Sequence, residues 1–249
     1  MKILVINPNS SVEMTESVRA VLDRIKRRDT VLDVVRTEGA PAAIQSATDI
    51  AEATPHVLKR VREANANGVD AIVLACFSDP GLEAARELSD ALVLGIQETT
   101  LHIAAMLGHK YTILTPLAER IASKEQDVRR FKAESACASV RALGMTVGET
   151  EAEPERTQER ILAVAREAIE QDGAEVLVLG CAGMVGYAEA VEQQLGIVVL
   201  DPTSVAFKTA EALVDLGLRH CKRGLYATPP GHHEHSSADP EVRASATVT

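Results

Sequence analysis

One figure occurs twice in this chain and limits what it can fold into. Gly68 to Pro80 reads Gly-Val-Asp-Ala-Ile-Val-Leu-Ala-Cys-Phe-Ser-Asp-Pro; Gly173 to Gly183 reads Gly-Ala-Glu-Val-Leu-Val-Leu-Gly-Cys-Ala-Gly. Each opens on glycine, runs through a short apolar stretch and reaches a cysteine followed by small or turn-forming residues. Gly68 and Gly173 lie 105 positions apart, and so do Cys76 and Cys181. Leu92-Val93-Leu94 matches Ile197-Val198-Val199 at the same offset, and Ala104-Ala105 matches Thr209-Ala210. Pro8 and Pro116, which close the first strand of each half, match at an offset of 108. Any α/β chain repeats strand and helix. A gapless offset across strand, cysteine, helix, strand and helix argues for more: two similar lobes facing each other across a pseudo-two-fold axis.

Periodicity supports an α/β fold in which each lobe is a parallel sheet flanked by helices. Strands are expected at Lys2–Ile6, Leu32–Thr37, Ala71–Ala75 and Leu92–Ile96, with helices near 12–27, 55–67, after Pro80 and 99–107. The second half repeats this with strands at Tyr111–Leu114, Val176–Leu179 and Ile197–Leu200 and a weak one at Met145–Glu149. Its helices are expected around 117–132 and 135–143, after Pro154, and over 203–218. Gly68 and Gly173 are read as helix C-terminal glycines. The division is lobe 1 over residues 1–98, lobe 2 over 99–202, and a C-terminal helix near 203–222 packing back on lobe 1. Residues 228–249 are polar and low in complexity and are read as a disordered tail. His232, His233 and His235 within it are read as solvated, with adventitious metal binding as the alternative.

Composition removes several classes of function. Aromatic residues make up 2% of the 249, with no Trp, and the net charge is −10, which disfavours stacking on or attraction to nucleic acid. The same charge disfavours an anionic membrane surface, and no apolar run reaches the roughly 20 residues of a membrane span. The N-terminal Met-Lys-Ile-Leu-Val-Ile-Asn-Pro reads as a strand rather than a leader. Four cysteines without a Cys-x-x-Cys pair or zinc spacing suggest free thiols in a cytoplasmic setting. No metal is expected.

In parallel α/β sheets ligands bind beyond the carboxyl ends of the strands. Cys76 and Cys181 stand at such ends, each ahead of an expected helix whose N-terminus would draw the thiol pKa down toward about 7. The bland reading of either is a small core hydrophobe; the symmetric pair favours a functional one. Two thiols on opposite sides of one cleft suit racemisation of a carbon acid: one thiolate removes the proton from one face, and the other thiol returns one to the opposite face. Backbone N–H groups at Phe77, Ser78, Ala182 and Gly183 are candidates to hold the developing oxyanion, and no cofactor is then required. Cys137, placed on a helix with Val140, and Cys221, at the end of the last helix, have no such symmetry and are assigned to packing.

Asn7-Pro8-Asn9-Ser10-Ser11 follows the first strand. Helix capping by Ser10 or Ser11, substrate contact through Asn9, and a phosphate cradle all remain open there. Glu98 and Asp201 either orient substrate N–H groups or cap the next helix, and capping is favoured for Asp201. His102 is read as structural.

Three segments, Ile6-Asn7-Pro8-Asn9-Ser10, Ala75-Cys76-Phe77-Ser78-Asp79-Pro80-Gly81-Leu82 and Leu179-Gly180-Cys181-Ala182-Gly183-Met184, resemble the hydantoin racemase family of the aspartate/glutamate racemase superfamily, which includes allantoin racemases. The resemblance covers about residues 1–220. It implies two flavodoxin-like lobes with the active site in the cleft between them, and a cofactor-independent two-base mechanism with Cys76 and Cys181 as the catalytic pair. It also implies a small-molecule substrate, a 5-substituted hydantoin or allantoin, and a homo-oligomer. The substrate-binding set expected on this basis is Asn9, Ser10, Ile44, Phe77, Ser78, Thr115, Ala182 and Gly183. The chain departs from many relatives at Gln97-Glu98-Thr99, Ser78-Asp79 and Thr115-Pro116, which bears on the substrate side group. The alternatives are a superfamily relative acting on a small diacid, as isomerase or decarboxylase, and a non-enzymatic flavodoxin-like module for phosphate or nucleotide.

Overall fold

Two four-stranded parallel sheets carry the same strand order. In the computed structural model, which describes residues 1–231, the first sheet contains β1 (Lys2–Asn7), β2 (Val31–Arg36), β3 (Ala71–Leu74) and β4 (Leu92–Gly95). The second contains β5 (Tyr111–Thr115), β6 (Cys137–Ala142), β7 (Val176–Leu179) and β8 (Val198–Leu200). Their orders are β2-β1-β3-β4 and β6-β5-β7-β8. Each central strand therefore has its mate in the other sheet, with β3 and β7 at the 105-residue offset. The fold is α/β, as the repeat requires. His232, His233, His235 and the rest of the expected tail from 232 onward lie outside the described residues.

Nine α-helices are found among the described residues: α1 (Val12–Ile25), α2 (Ala47–Ala66), α3 (Leu82–Leu88), α4 (Ile96–Leu107), α5 (Ile121–Arg130), α6 (Val147–Ala152), α7 (Pro154–Asp172), α8 (Ala188–Leu195) and α9 (Pro202–Asp215). Side chains alternate along the strands and sort into separate cores. Leu4, Ile6, Ile72 and Leu74 face outward in the first sheet and pack with Val57 and Val61 of α2. Ile3, Val5 and Val73 face inward and join Ile113, Val176 and Val178 of the second sheet in one continuous core. Each fully buried Ile or Val there contributes about 1.5–3 kcal/mol.

The helices after β4 and β8 fill the space between the sheets. Helix α4 packs on α9 and reaches β7 and β8 of the second sheet, while α9 packs against β1, β3 and β4 of the first. Leu101 and Ala104 of α4 and Ala206, Phe207 and Ala210 of α9 belong to the shared core. Each sheet is thus closed by a helix that follows the last strand of the other.

Three expected elements differ. Residues 137–142, read as helical, form edge strand β6, paired in parallel with β5 and pinned by Ser139 Oγ to Thr112 Oγ1 (2.9 Å) and by Arg141 to Asp172. Cys137 is therefore on a strand. The weak strand at 145–149 is replaced by α6, which starts on a capping box in which Thr146 and Glu149 bond each other's backbone N–H. Helix α2 begins not at Pro55 but at Ala47, on a capping box of Ser46 and Asp49, and carries Pro55 in its interior. In both helices the local cap outweighs the weaker signal that sequence periodicity supplied. Cys221 lies exposed beyond the end of α9.

Candidate active site

The segments that follow β3 and β7 open onto one cleft. The space inside it, counted with its open mouth, is about 500 Å³. Cys76, two residues past β3, and Cys181, two residues past β7, both line it. Phe77 and Ser78 accompany the first thiol and Gly180 and Ala182 the second. Asn9 and Met14 come from the β1–α1 segment, Ile44 and Gln45 from the loop before α2, and Thr115 and Pro116 from the end of β5. Val147 of α6 closes one side, and its N–H donates to Gln45 Oε1 across the cleft (3.0 Å).

Of the residues expected at the site, Asn9, Ile44, Cys76, Phe77, Ser78, Thr115, Cys181 and Ala182 line the cleft, whereas Ser10 and Gly183 do not. The Ser10 backbone bonds to Pro41 O and to Arg36. The N-cap of α1 is Ser11, whose Oγ accepts from Met14 N (3.0 Å). Asn9 Oδ1 accepts from Asn7 Nδ2 and Ser11 N, which turns its amide nitrogen toward Met14 Sδ (3.3 Å), a weak acceptor that a ligand carbonyl would replace. Gly183 bears on the site differently: its N–H donates to Cys181 Sγ (3.4 Å). The Ser78 N–H acts on Cys76 in the same direction. Two of the four N–H groups expected to hold an oxyanion are therefore turned onto the sulfurs, which leaves Phe77 and Ala182 for that task.

The thiols are not drawn down toward 7. Burial pushes Cys76 up to about 12 and Cys181 up to about 11. The expected helix dipoles are out of place: five residues separate Cys76 from α3, and only a three-residue 3₁₀ turn, Ala182–Met184, follows Cys181. What opposes burial is chiefly a cation at Cys76, and at Cys181 the Gly183 N–H followed by the same cation. Lys124 of α5 sits buried in the cleft and acts on both thiols, lowering each. Its Nζ donates to Ser78 Oγ (3.0 Å) and to the Phe77 carbonyl, lies 5.4 Å from the Phe77 ring centre, and is 3.5 Å from Asp127. Burial lowers the pKa of Lys124 itself, while Asp127 and Cys76 hold it up. Cys76 also feels Cys181, which raises it, so the two sulfurs share one electrostatic environment.

The Cys76 loop is anchored by Asp79, a buried carboxylate in left-handed backbone (φ 43°). It accepts from Gln97 N (3.0 Å) and Glu98 N (2.9 Å) and so caps α4, whose own N-cap residue, Gly95, has no side chain to do it. Burial raises Asp79 to about 7. The second loop is anchored the other way round. Asp201 caps α9 at Thr203 N and Ser204 N and also accepts from Gly186 N in the loop after Cys181 (3.2 Å). Glu98 pairs with Arg86 and does not line the cleft. His102 is exposed.

Lys124 and Arg120, both lining the cleft, were not signalled by the sequence. A lysine on a charged helix with Asp127 one turn on reads as a solvated pair, because the groups that bury it lie 46 and 47 positions away. Among the described residues no group of three His, Cys, Asp or Glu side chains is arranged to hold a metal.

These features define a class: a two-sheet parallel α/β enzyme with one thiol from each half in a shared cleft. The sequence profile described as Asp/Glu/Hydantoin racemase matches residues 3–210. A hydantoin racemase of Paenarthrobacter aurescens is 37% identical over 92% of this chain and 98% of its own length. A hydantoin racemase of Pseudomonas sp. (strain NS671) is 36% identical over 92% of each chain. The allantoin racemase structure from Klebsiella pneumoniae superposes with a TM-score of 0.89 at 34% identity, covering 92% of this chain and 94% of that one. The chain belongs to the Asp/Glu/Hydantoin racemase family. It is an isomerase of the racemase type.

Proposed function

We propose that the protein racemises a 5-substituted hydantoin or allantoin by two-base proton transfer at C5, without a cofactor, with Cys76 and Cys181 as the two bases. The observation that carries this reading is the placement of one thiol from each half in a single cleft, under one shared ammonium. The ring lies between the sulfurs. The thiolate on one side takes the C5 proton and becomes a thiol, and the electron pair moves into the adjacent carbonyl. The thiol on the far side then gives its proton to C5 and becomes the thiolate, so one proton leaves and one arrives. The opposite enantiomer runs the steps in reverse.

The chemistry needs one sulfur ionised near working pH, and the groups that favour the thiolate against burial are Lys124 at both sulfurs, the Ser78 N–H at Cys76 and the Gly183 N–H at Cys181. Lys124 supports whichever sulfur is ionised. The N–H groups of Phe77 and Ala182 and the amide of Asn9 face the enolate oxygen and ring carbonyls. The substrate class rests on the named activities of the relatives. Cytoplasmic residence and a homo-oligomeric assembly belong to the same reading, the first supported by four free cysteines and the second by the family resemblance.

The test is polarimetry of D- and L-5-substituted hydantoins and of allantoin in D2O. Decay of rotation with one solvent deuterium at C5 is expected. Absence of both for every ring tested removes the reading.

A further inference from the structure

The cleft has a charge that the proton transfer alone does not explain. Arg120, half-exposed at the start of α5, lines it together with Lys124, and among the described residues no aspartate or glutamate does. This occurs in a chain with net charge −10. The two cations differ in how far they are satisfied. Lys124 is held by Phe77 O, Ser78 Oγ and Asp127. The Arg120 guanidinium makes no hydrogen bond or ion pair among the described residues; only its backbone is bonded, to Leu117 O and Ser123 Oγ.

Two carboxylates that act electrostatically on groups of the cleft are committed elsewhere. Asp49, which feels Arg120 without pairing with it, accepts from Gln45 N (2.9 Å) and Ser46 N (2.8 Å). Glu151, on the Cys181 side, lies 3.4 Å from Ser11 Oγ, which donates to it. A guanidinium offers five fixed donors suited to a carboxylate, and one lining a partly dehydrated cleft without a partner has that capacity unspent.

We propose that Arg120 is a specificity-determining residue that binds a carboxylate on the C5 substituent of the ring substrate. The assignment rests on the ring reading above and narrows it. The ring sits between Cys76 and Cys181, and a short acidic arm runs toward the start of α5. The preferred substrates are then hydantoins of acidic amino acids, and the uncharged carboxamide of the same length is the poorer ligand.

The test compares 5-(2-carboxyethyl)hydantoin with its carboxamide, 5-(2-carbamoylethyl)hydantoin, by calorimetric binding and by kcat/KM from polarimetry. The wild-type protein should favour the carboxylate by about tenfold, the scale of a partly screened charge-assisted pair. That ratio should fall to near unity in R120Q and recover in part in R120K, and added salt should erode it in wild type. Equal binding of the two ligands by wild type, or a carboxylate preference undiminished in R120Q, overturns the assignment. If hydantoins with apolar arms are racemised while the acidic arm gains nothing, the assignment falls and the ring reading stands. If no hydantoin binds or turns over, both fall.

Discussion

A Cβ placed on Gly95 would lie 2.2 Å from Cγ of Asp79. The carboxylate that caps α4 occupies the volume a side chain at Gly95 would need. The loop bearing Cys76 and the helix that crosses between the sheets are joined at that point. Gly95 itself has ordinary extended backbone (φ −89°, ψ 140°), so the constraint is space and not conformation. Gly95→Ala should expel Asp79 from the helix N-terminus and cost about 1–3 kcal/mol, the range of a lost cap with an added clash. Urea unfolding reads this, and an alanine variant as stable as wild type would show that the loop is not held there.

Asp79 also gives stability a pH dependence. Its carboxyl keeps a proton to about 7 in the folded protein, against about 3.9 in an unfolded chain. The folded state binds the extra proton, so this contribution is full below about pH 4 and declines as pH rises to about 7. Asp79→Asn should flatten that part of the curve in denaturant titrations between pH 4 and 8. An unchanged slope would place the proton on another group.

The thiols act with the same sign at higher pH. Unfolded cysteine ionises near 8.5, while Cys76 and Cys181 are held to about 12 and about 11. Their contribution is present below pH 8.5 and is lost as pH climbs through 11. Iodoacetamide should therefore label both slowly at pH 7, with rates that keep rising beyond pH 9. Mass spectrometry of peptides containing either cysteine follows this, and labelling that levels off below pH 8 would contradict the burial argument.

Lys124→Met removes a charge that opposes burial at both sulfurs. The alkylation profiles of Cys76 and Cys181 should both move to higher pH, and kcat should fall by about 10- to 100-fold, the scale of lost electrostatic support. Lys124→Arg should restore part of both. A variant with lower kcat and unmoved alkylation profiles would mean that Lys124 only braces the Phe77 carbonyl.

Single replacements Cys76→Ser and Cys181→Ser should each lower racemisation by about 10³-fold or more, because a hydroxyl is a far weaker acid and its alkoxide is not accessible at neutral pH. Deuterium exchange without inversion should survive for one enantiomer in each variant, and for opposite enantiomers in the two. Wild-type racemisation by both would remove the thiols from the chemistry.

The two cysteine-ended strands were legible because burial on both faces writes a continuous apolar run, and because the same run recurs at a fixed offset. Strand β6 was not, because an edge strand is half-solvated and Cys-Ala-Ser-Val-Arg-Ala carries no run to read. The capping boxes at Ser46 and Thr146 are present in the sequence as short polar spacings, but a proline and an apolar alternation beside them give competing signals. The thiol pKa values do not follow from the sequence, because nearness to a helix along the chain is not alignment with its axis. Lys124 and Arg120 could not be read at all, since their meaning comes from residues packed against α5 from the other half of the chain.

The exchange of α4 and α9 between the sheets has a consequence for how such a chain can be divided. A fragment ending after α4 would carry a helix that also packs on a sheet it lacks, and its own sheet would lose the part of its cover that α9 gives β1, β3 and β4. Two copies of that fragment would satisfy each other by trading helices, each lending the cover the other needs. The arrangement is that of a swapped dimer of half-proteins joined end to end, and the cleft with its paired thiols lies where the two halves would have met.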